Sequence, residues 1–440
     1  MSSPRKTALK ILESIEQGGY LNLVLKDELK GMDERDRRFV TALCHTVIEN
    51  EIKIDYIINS FTENKRIHRV IRNILRMGVA QLMFMDGVPQ SAAVNECVKL
   101  TESTPKRQLK GFVNAVLRKI ARERENIAFP QREDGDVKYL SVNYSYPEWL
   151  CEMYLSDYGF DFTENMLAYK NDGAMTCVRA NSLKGQDAEK LSRRLTGAAF
   201  KVYDGKYCPD ALYIKNITAV DELKMYKKGE LTVQQESSML AVRCADIRKN
   251  MSVIDVCAAP GGKSAIAAQS LPERLVAMEL HPHRAELMKK NFERLGVNAQ
   301  VIVHDAAAPI ANFYEKFDRV LADVPCSALG LLYRKPDIKL SKKREEIDEL
   351  TRIQADILET ASRYLKKGGR LLYSTCTIDR RENGDIIDAF LKKHPNFKSA
   401  DISKDLPESL RKRAQDGRIQ LFAQLDGIDG FFIAALERIK

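Results

Sequence analysis

Two cysteines of this chain stand where a thiol can do chemistry: Cys326, closing Asp323-Val324-Pro325-Cys326, and Cys376, inside Ser374-Thr375-Cys376-Thr377. Each follows a short apolar run that reads as a buried strand, Asp318–Ala322 for the first and Gly369–Tyr373 for the second. As neighbours in one parallel sheet, these strands would open both thiols into one cleft, at the strand ends where ligands bind. A thiolate there attacks electron-poor carbon. Carbon 5 of cytosine is a poor nucleophile, but adding a thiolate at carbon 6 makes it enamine-like and able to take a methyl group. That reaction needs a reactive thiol, a group on the N3 edge of the ring and a base for the carbon-5 proton. Asp323 supplies the N3 or N4 partner, whereas a methyltransferase acting on exocyclic amines would show Asn-Pro-Pro-Tyr or a relative there. The residues alone leave open which thiol attacks. An inert, buried thiol is the ordinary reading of a cysteine, and it is accepted for Cys44 and Cys244, which fall within helical patterns.

A second constellation is the loop Cys257-Ala258-Ala259-Pro260-Gly261-Gly262-Lys263-Ser264 after the strand Ser252–Val256. Its small residues and paired glycines let the backbone approach a ligand. The ending Gly262-Lys263-Ser264 matches a phosphate-binding P-loop, but the leading glycine of that motif would fall on Cys257, and Pro260 lacks a backbone donor. Glu279 ends the next strand and suits the two hydroxyls of a ribose; Asp305, after the third, suits an adenine amino group. Each acid alone would equally serve as a helix cap. Together with Asp255 and the glycine loop they point to adenosine, and Lys263 is a cation near enough to stabilise a thiolate. His281 and His283 flank Pro282 without a third ligand at a fitting spacing, so no metal is expected.

The elements that must position these residues change along the chain. Ala8, Ile11, Leu12 and Ile15, then Phe39, Leu43 and Val47, Ile71, Ile74, Leu75, Val79 and Leu82, and Val113, Val116, Leu117 and Ile120 recur at helical spacing. They predict an all-α domain over 1–125, followed by a charged linker over 126–138. A small α+β region is expected over 139–230, with helices near Pro147–Tyr158 and Asp187–Leu195 and a strand at Met175–Arg179. From 231 to 440 strands alternate with helices, notably Pro282–Leu295 and Arg344–Leu365, which predicts an α/β domain with a mostly parallel sheet. Two late strands, Arg418–Phe422 and Gly430–Leu436, lie too close for a helical crossover and should pair antiparallel.

Composition narrows the class further. Over 440 residues, 44% hydrophobic and 30% charged describe folded domains, more than one of them, rather than a disordered or fibrous chain. A net charge of +9 fits an anionic partner, although an ordinary solvated surface can carry as much. Arg5-Lys6, Arg66-Ile67-His68-Arg69 with Arg72 and Arg76, and Lys106-Arg107 with Lys110 are candidate phosphate contacts. No apolar run approaches a membrane span, no secretory leader is read at Met1–Lys6, and nine scattered cysteines without a CxxC pair speak for free thiols in a reducing cytoplasm.

These motifs resemble those of the RNA cytosine-5 methyltransferases of the Sun/Fmu (RsmB) group, within the Sun-type family. Asp255–Lys263 resembles the cofactor loop; Asp323-Val324-Pro325-Cys326-Ser327 with Arg334-Lys335-Pro336-Asp337 resembles the first cysteine motif. Tyr373-Ser374-Thr375-Cys376-Thr377, followed by Glu382-Asn383, resembles the second. Arg37-Arg38-Phe39, Ala80-Gln81-Leu82 and Gly111–Arg118 resemble pieces of a NusB-like RNA-binding domain. The resemblance covers nearly the whole chain. It implies three parts: a NusB-like all-α domain, a small α+β middle region and a Rossmann-like methyltransferase domain that binds S-adenosylmethionine. It also implies that Cys376 is the nucleophile, that Cys326 serves release as, or by positioning, the base, and that the partner is small-subunit ribosomal RNA before ribosomal proteins have fully assembled. A monomer is expected. Thr377, Ala328 and Glu279 depart from serine, glycine and aspartate in the family pattern without removing a needed group. Transfer RNA as substrate, or a non-catalytic RNA-binding factor, remain alternatives at this level; the intact Cys326 and Cys376 loops speak against the second.

Overall fold

Apolar residues repeating every three or four positions build the amino-terminal half of the computed structural model, which describes residues 3–64, 66–170, 175–217 and 219–439. The chain forms two compact units, Met1–Tyr169 with Arg334–Lys342, and Lys170–Tyr333 with Lys343–Lys440.

The first unit is helical: Pro4–Glu16, Leu21–Glu28, Glu34–Glu49, Glu51–Thr62, Arg69–Met83, Gln90–Glu102 and Lys110–Glu123, then the shorter Asp136–Tyr144, Glu148–Tyr158 and Phe160–Ala168. Ala8, Ile11, Leu12, Leu43, Val47, Ile71, Ile74, Leu75, Val113, Val116, Leu117 and Ile120 meet in one core. Each large aliphatic side chain fully buried there is worth ~1.5–3 kcal/mol. Helix Arg69–Met83 runs through the middle, and Gly78 permits it: a Cβ at that position would stand 2.6 Å from the Leu117 side chain.

Arg72 and Arg76 on that helix face inward, contrary to their reading as phosphate contacts, whereas Arg66, His68 and Arg69 of the same stretch are exposed. Arg76 is buried and bonded to Asp55 (2.6 and 2.9 Å), Glu51 (3.1 Å) and Glu16 (3.2 Å), acids that together hold its guanidinium charged. Arg72 bonds Asn59 and pairs with Asp55, and Arg69 pairs with Glu16. Arg5 donates to Gln81 and lies over the Phe39 ring. A buried cation persists only with such partners, so Arg76 holds the helices around it together.

Residues 334–342 complete this unit. The Asp337 carboxylate accepts the Leu21 N–H at the start of helix Leu21–Glu28 (3.2 Å), and Lys339 donates to the Glu49 carbonyl at the end of helix Glu34–Glu49 (2.8 Å). Both bonds satisfy backbone groups that a helix end leaves unpaired.

The second unit holds two sheets. β1 (Met175–Ala180), β2 (Val202–Asp204), β3 (Ala211–Lys215) and β4 (Leu231–Val233) form an antiparallel sheet in the order β2-β3-β1-β4. Val178, Ala180, Leu212 and Ile214 on one face pack with Leu191 and Leu195 of helix Ala188–Gly197. The larger sheet contains β5 (Ser252–Asp255), β6 (Arg274–Glu279), β7 (Gln300–Val303), β8 (Phe317–Asp323), β9 (Leu365–Thr375), β10 (Phe397–Ser399), β11 (Arg418–Leu421) and β12 (Phe431–Arg438). Its order is β10-β12-β9-β8-β5-β6-β7, with β11 also on β12. β5 to β9 pair in parallel, whereas β12 is antiparallel to β9, β10 and β11, as the close spacing of the last two strands predicts. Parallel pairing carries the carboxyl ends of β5, β6, β8 and β9 to one edge, with Asp323 opposite Ser374 in the ladder. No helix among the described residues is long and apolar enough to cross a membrane.

Candidate active site

β5 delivers Asp255 to the sheet edge, and the chain turns through Cys257–Gly261 into helix Gly262–Gln269. Gly261 has φ +97°, and a Cβ there would stand 2.6 Å from the Phe292 ring; one on Gly262 would meet the Gln234 amide at 3.1 Å. Both glycines answer to crowding and leave the helix entrance bare of side chains. Asp255 is 1% exposed. Its Oδ2 accepts the Ser264 hydroxyl (2.6 Å), its Oδ1 takes no bond among the described residues, and burial pushes its carboxyl up to about 6. Burial also raises the Cys257 thiol well above its usual range.

Glu279 is buried at the end of β6, where Oε1 accepts the His281 N–H (3.0 Å) and faces Arg284 (3.4 Å). Asp305, exposed after β7, accepts the Ala307 N–H (2.9 Å). Each acid thus accepts the N–H two residues on, a turn bond rather than a helix cap, and keeps a second oxygen that accepts nothing from the described residues. An orphaned buried carboxylate oxygen, a bare helix entrance and two carboxylates on the next strand ends are a donor set that fits S-adenosylmethionine: an amino-acid ammonium, a ribose and an adenine.

On the other side of β5, the loops after β8 and β9 bring Cys326 and Cys376 together, Sγ to Sγ 3.2 Å. The Cys326 thiol is held far above its usual range by its bond to Cys376, by burial and by the charge of Glu382. Asp323 accepts the Lys263 ammonium on Oδ2 (2.6 Å) and the Ser374 hydroxyl on Oδ1 (2.8 Å). Lys263, read from the sequence as a stabiliser of thiolate, is therefore held by Asp323 and reaches neither thiol by a direct hydrogen bond among the described residues. Cys44 and Cys244 are fully buried with raised thiols, Cys44 to about 12.

The second cysteine loop has a further support. Gly330 N–H donates to the Cys376 carbonyl (3.0 Å), and Gly430 N–H donates to the Gly330 carbonyl (3.0 Å). A Cβ on Gly330 would lie 2.1 Å from the Gly430 oxygen and 2.8 Å from the Cys376 oxygen, contacts that backbone cannot yield cheaply. Gly330→Ala is expected to displace the Cys376 loop and lower kcat by about 10²-fold, the cost of misplacing a reacting group by roughly 1 Å. Circular dichroism should still show the native fold; an unchanged kcat would refute this role.

Sequence reading placed Cys326, Cys376, Asp323, Lys263, the loop Cys257–Lys263 and Glu279 at one edge, and the structure collects them there. Ser327, Thr377 and Glu382 stand in the sequence motifs without a role, whereas Gln354 and the burial of Glu382, which is 0% exposed, emerge only in the structure. Glu382 follows Arg380-Arg381 in sequence, and only folding shows that it turns inward.

A glycine-lined turn, strand-end carboxylates and paired thiols on a mostly parallel sheet are the parts of a Rossmann-like methyltransferase, here preceded in the chain by a helical domain. Family models match in the same sequence: the NusB family over residues 2–122, the ferredoxin-like domain of RsmF/B-like methyltransferases over 146–221, and the 16S rRNA methyltransferases RsmB/F over 242–437. The probable ribosomal RNA small subunit methyltransferase B of Bacillus subtilis is 34% identical over 449 aligned positions, covering 99% of each chain. Ribosomal RNA small subunit methyltransferase B of Erwinia tasmaniensis is 30% identical, again over 99% of each. The chain belongs to this family of small-subunit ribosomal RNA methyltransferases. Among solved structures, that of PH0851 superposes with a TM-score of 0.82 at 25% identity over the full length of both chains. NSun6 from Pyrococcus horikoshii, solved with SFG, shares the fold over 68% of this chain and 99% of its own, with a TM-score of 0.58 at 21% identity.

Proposed function

We propose that this protein methylates carbon 5 of a cytosine in small-subunit (16S) ribosomal RNA, using S-adenosylmethionine and a transient bond to Cys376. The observation that carries the reading is the contact of two thiols, 3.2 Å apart, beside Asp323 at the ends of adjacent parallel strands. Two thiols at the ligand edge suit a covalent step, in which one adds to the substrate and the other serves release.

Asp255, Glu279 and Asp305, with the turn Cys257–Gly262, would hold S-adenosylmethionine, which supplies an electrophilic methyl group on a sulfonium. Cys376 adds as thiolate to carbon 6 of the cytosine, forming an S–C bond and moving the ring's electron pair to carbon 5. Asp323, oriented by Lys263 and Ser374, bonds the N3 or N4 edge and stabilises the charge that develops there. Carbon 5 then takes the methyl group as the sulfonium's carbon–sulfur bond breaks. Cys326, as base or by positioning one, takes the carbon-5 proton; the electron pair left behind restores the ring double bond and expels the Cys376 thiolate. The helical unit, with exposed Lys6, Arg66 and Arg107, would present phosphate contacts while the target base stands unpaired or flipped.

The test is methylation of protein-free small-subunit ribosomal RNA and of bulk transfer RNA, read by nucleoside mass spectrometry. 5-Methylcytidine in the ribosomal RNA alone is expected. Its appearance only in transfer RNA would keep the chemistry and overturn the substrate; its absence from both would overturn the reaction.

A further inference from the structure

Glu382 sits in the turn Arg380–Glu382 beyond the second cysteine loop, wholly buried. Its Oε2 accepts the Ser327 N–H (2.9 Å) and the Gln354 side-chain amide (2.8 Å), and its Oε1 accepts the Ser327 hydroxyl. The Ser327 hydroxyl oxygen also lies 2.8 Å from the Thr377 hydroxyl. A carboxylate only accepts, so it takes the Ser327 proton, and Thr377 must then donate to Ser327. Ser327 and Thr377 are the residues directly after Cys326 and Cys376. Gln354, on helix Arg344–Tyr364, donates to the Pro325 carbonyl as well (2.9 Å), so the same anchor grips the residue before Cys326. The Tyr373 hydroxyl donates to the Glu382 carbonyl (2.6 Å) and ties the turn to β9. Burying a carboxylate is costly unless its lone pairs are satisfied. Here the donors come from the first cysteine loop and the helix behind it, which makes this acid a brace between two loops.

We propose that Glu382 is the positioning residue that sets the two thiols against one another, through Ser327 and the Ser327–Thr377 hydroxyl pair. Its importance for methyl transfer rests on the cytosine-5 reading; its effect on thiol placement does not. The buried anion also acts on Cys326, whose thiol it helps keep protonated, while its bonds run to Ser327 and not toward Cys376. One acid would thereby hold the two cysteines close.

Diamide removes two hydrogens from a pair of touching thiols, is itself reduced to the hydrazine, and leaves a disulfide. The rate of Cys326–Cys376 disulfide formation in the full-length protein, read by non-reducing peptide mass spectrometry, therefore reports thiol placement without any methylation. In Glu382→Ala this rate is expected to fall about tenfold and kcat about 100-fold, with KM for RNA and affinity for S-adenosylmethionine within about threefold. Glu382→Gln keeps the shape and lets the Ser327–Thr377 bond reverse, so the disulfide rate should hold. Loss of the charge should move alkylation of Cys326 by iodoacetamide, followed in a Cys376→Ser background, to lower pH. A disulfide rate and kcat equal to wild type in Glu382→Ala would overturn the proposal. If the alanine variant does not fold, Ser327→Ala removes the hydroxyl link from Glu382 to Thr377 instead, and a disulfide rate equal to wild type in that variant would overturn the proposal. Should the wild type form no 5-methylcytidine while Glu382→Ala still slows the disulfide, the positioning role stands and the cytosine-5 reading falls.

Discussion

Cys376→Ala is expected to abolish methyl transfer, with a fall of at least about 10⁴-fold, whereas Cys326→Ala should leave RNA covalently attached to the protein. In the proposed reaction the two thiols in contact have unequal roles. Removing a covalent nucleophile removes the only route that activates carbon 5, and losses of that size are typical when such a group is deleted. Removing the group that serves release leaves addition and methyl transfer intact and stalls the last step, so the S–C bond persists. The two variants should be separable on a denaturing gel with labelled RNA, by a slow-migrating band in Cys326→Ala that is absent from Cys376→Ala. Nucleoside mass spectrometry of the trapped RNA after protease digestion would then find the modified cytosine. Neither substitution should cost much stability, because both side chains are only partly buried and flank a cleft. Adducts formed only by the protein lacking Cys376 would exchange the two roles.

Asp323→Asn should be the next largest effect, a fall in kcat of about 10³-fold, or about 4 kcal/mol of transition-state stabilisation. The carboxylate is ligated on both oxygens, by Lys263 at 2.6 Å and Ser374 at 2.8 Å, so its orientation is fixed before any base arrives. An asparagine can still accept from Ser374 on its oxygen, but it offers Lys263 no charge and the cytosine ring no counterion as positive character develops. KM for RNA should change little, since the bond to the ring strengthens in the transition state rather than in the bound ground state. The ion pair is partly exposed, with side chains 12% and 29% accessible, so the loss of folding stability should be small beside the loss of rate. Steady-state kinetics with thermal unfolding of the same sample separate the two. A kcat within about tenfold of wild type would reduce Asp323 to a holder of Lys263.

Periodicity and spacing determine much about this protein without coordinates. Helical repeats in the first quarter, strand–helix alternation after residue 231 and the pairing of two late strands follow from which residues must leave water, a property that each local stretch carries in itself. The site edge follows too: in a parallel sheet the residues just past each strand converge, so Asp255, Glu279, Asp323, Cys326 and Cys376 could be placed at one cleft from their positions alone. What the chain does with its charges was decided only by folding. Arg76 reads as a candidate phosphate contact and Glu382 only as part of a motif, yet each is buried because partners distant along the chain, Asp55 and Glu51 for one, Ser327 and Gln354 for the other, replace the hydration it loses. Lys263 is drawn to Asp323 rather than a thiol for the same reason. The strip 334–342 joins the helical unit because Asp337 and Lys339 satisfy backbone groups at helix ends far away in sequence. Burial patterns are local and repeat; pairing of polar groups is long-range and does not, and that is why the tertiary structure alone settles which charges serve the fold and which remain for chemistry.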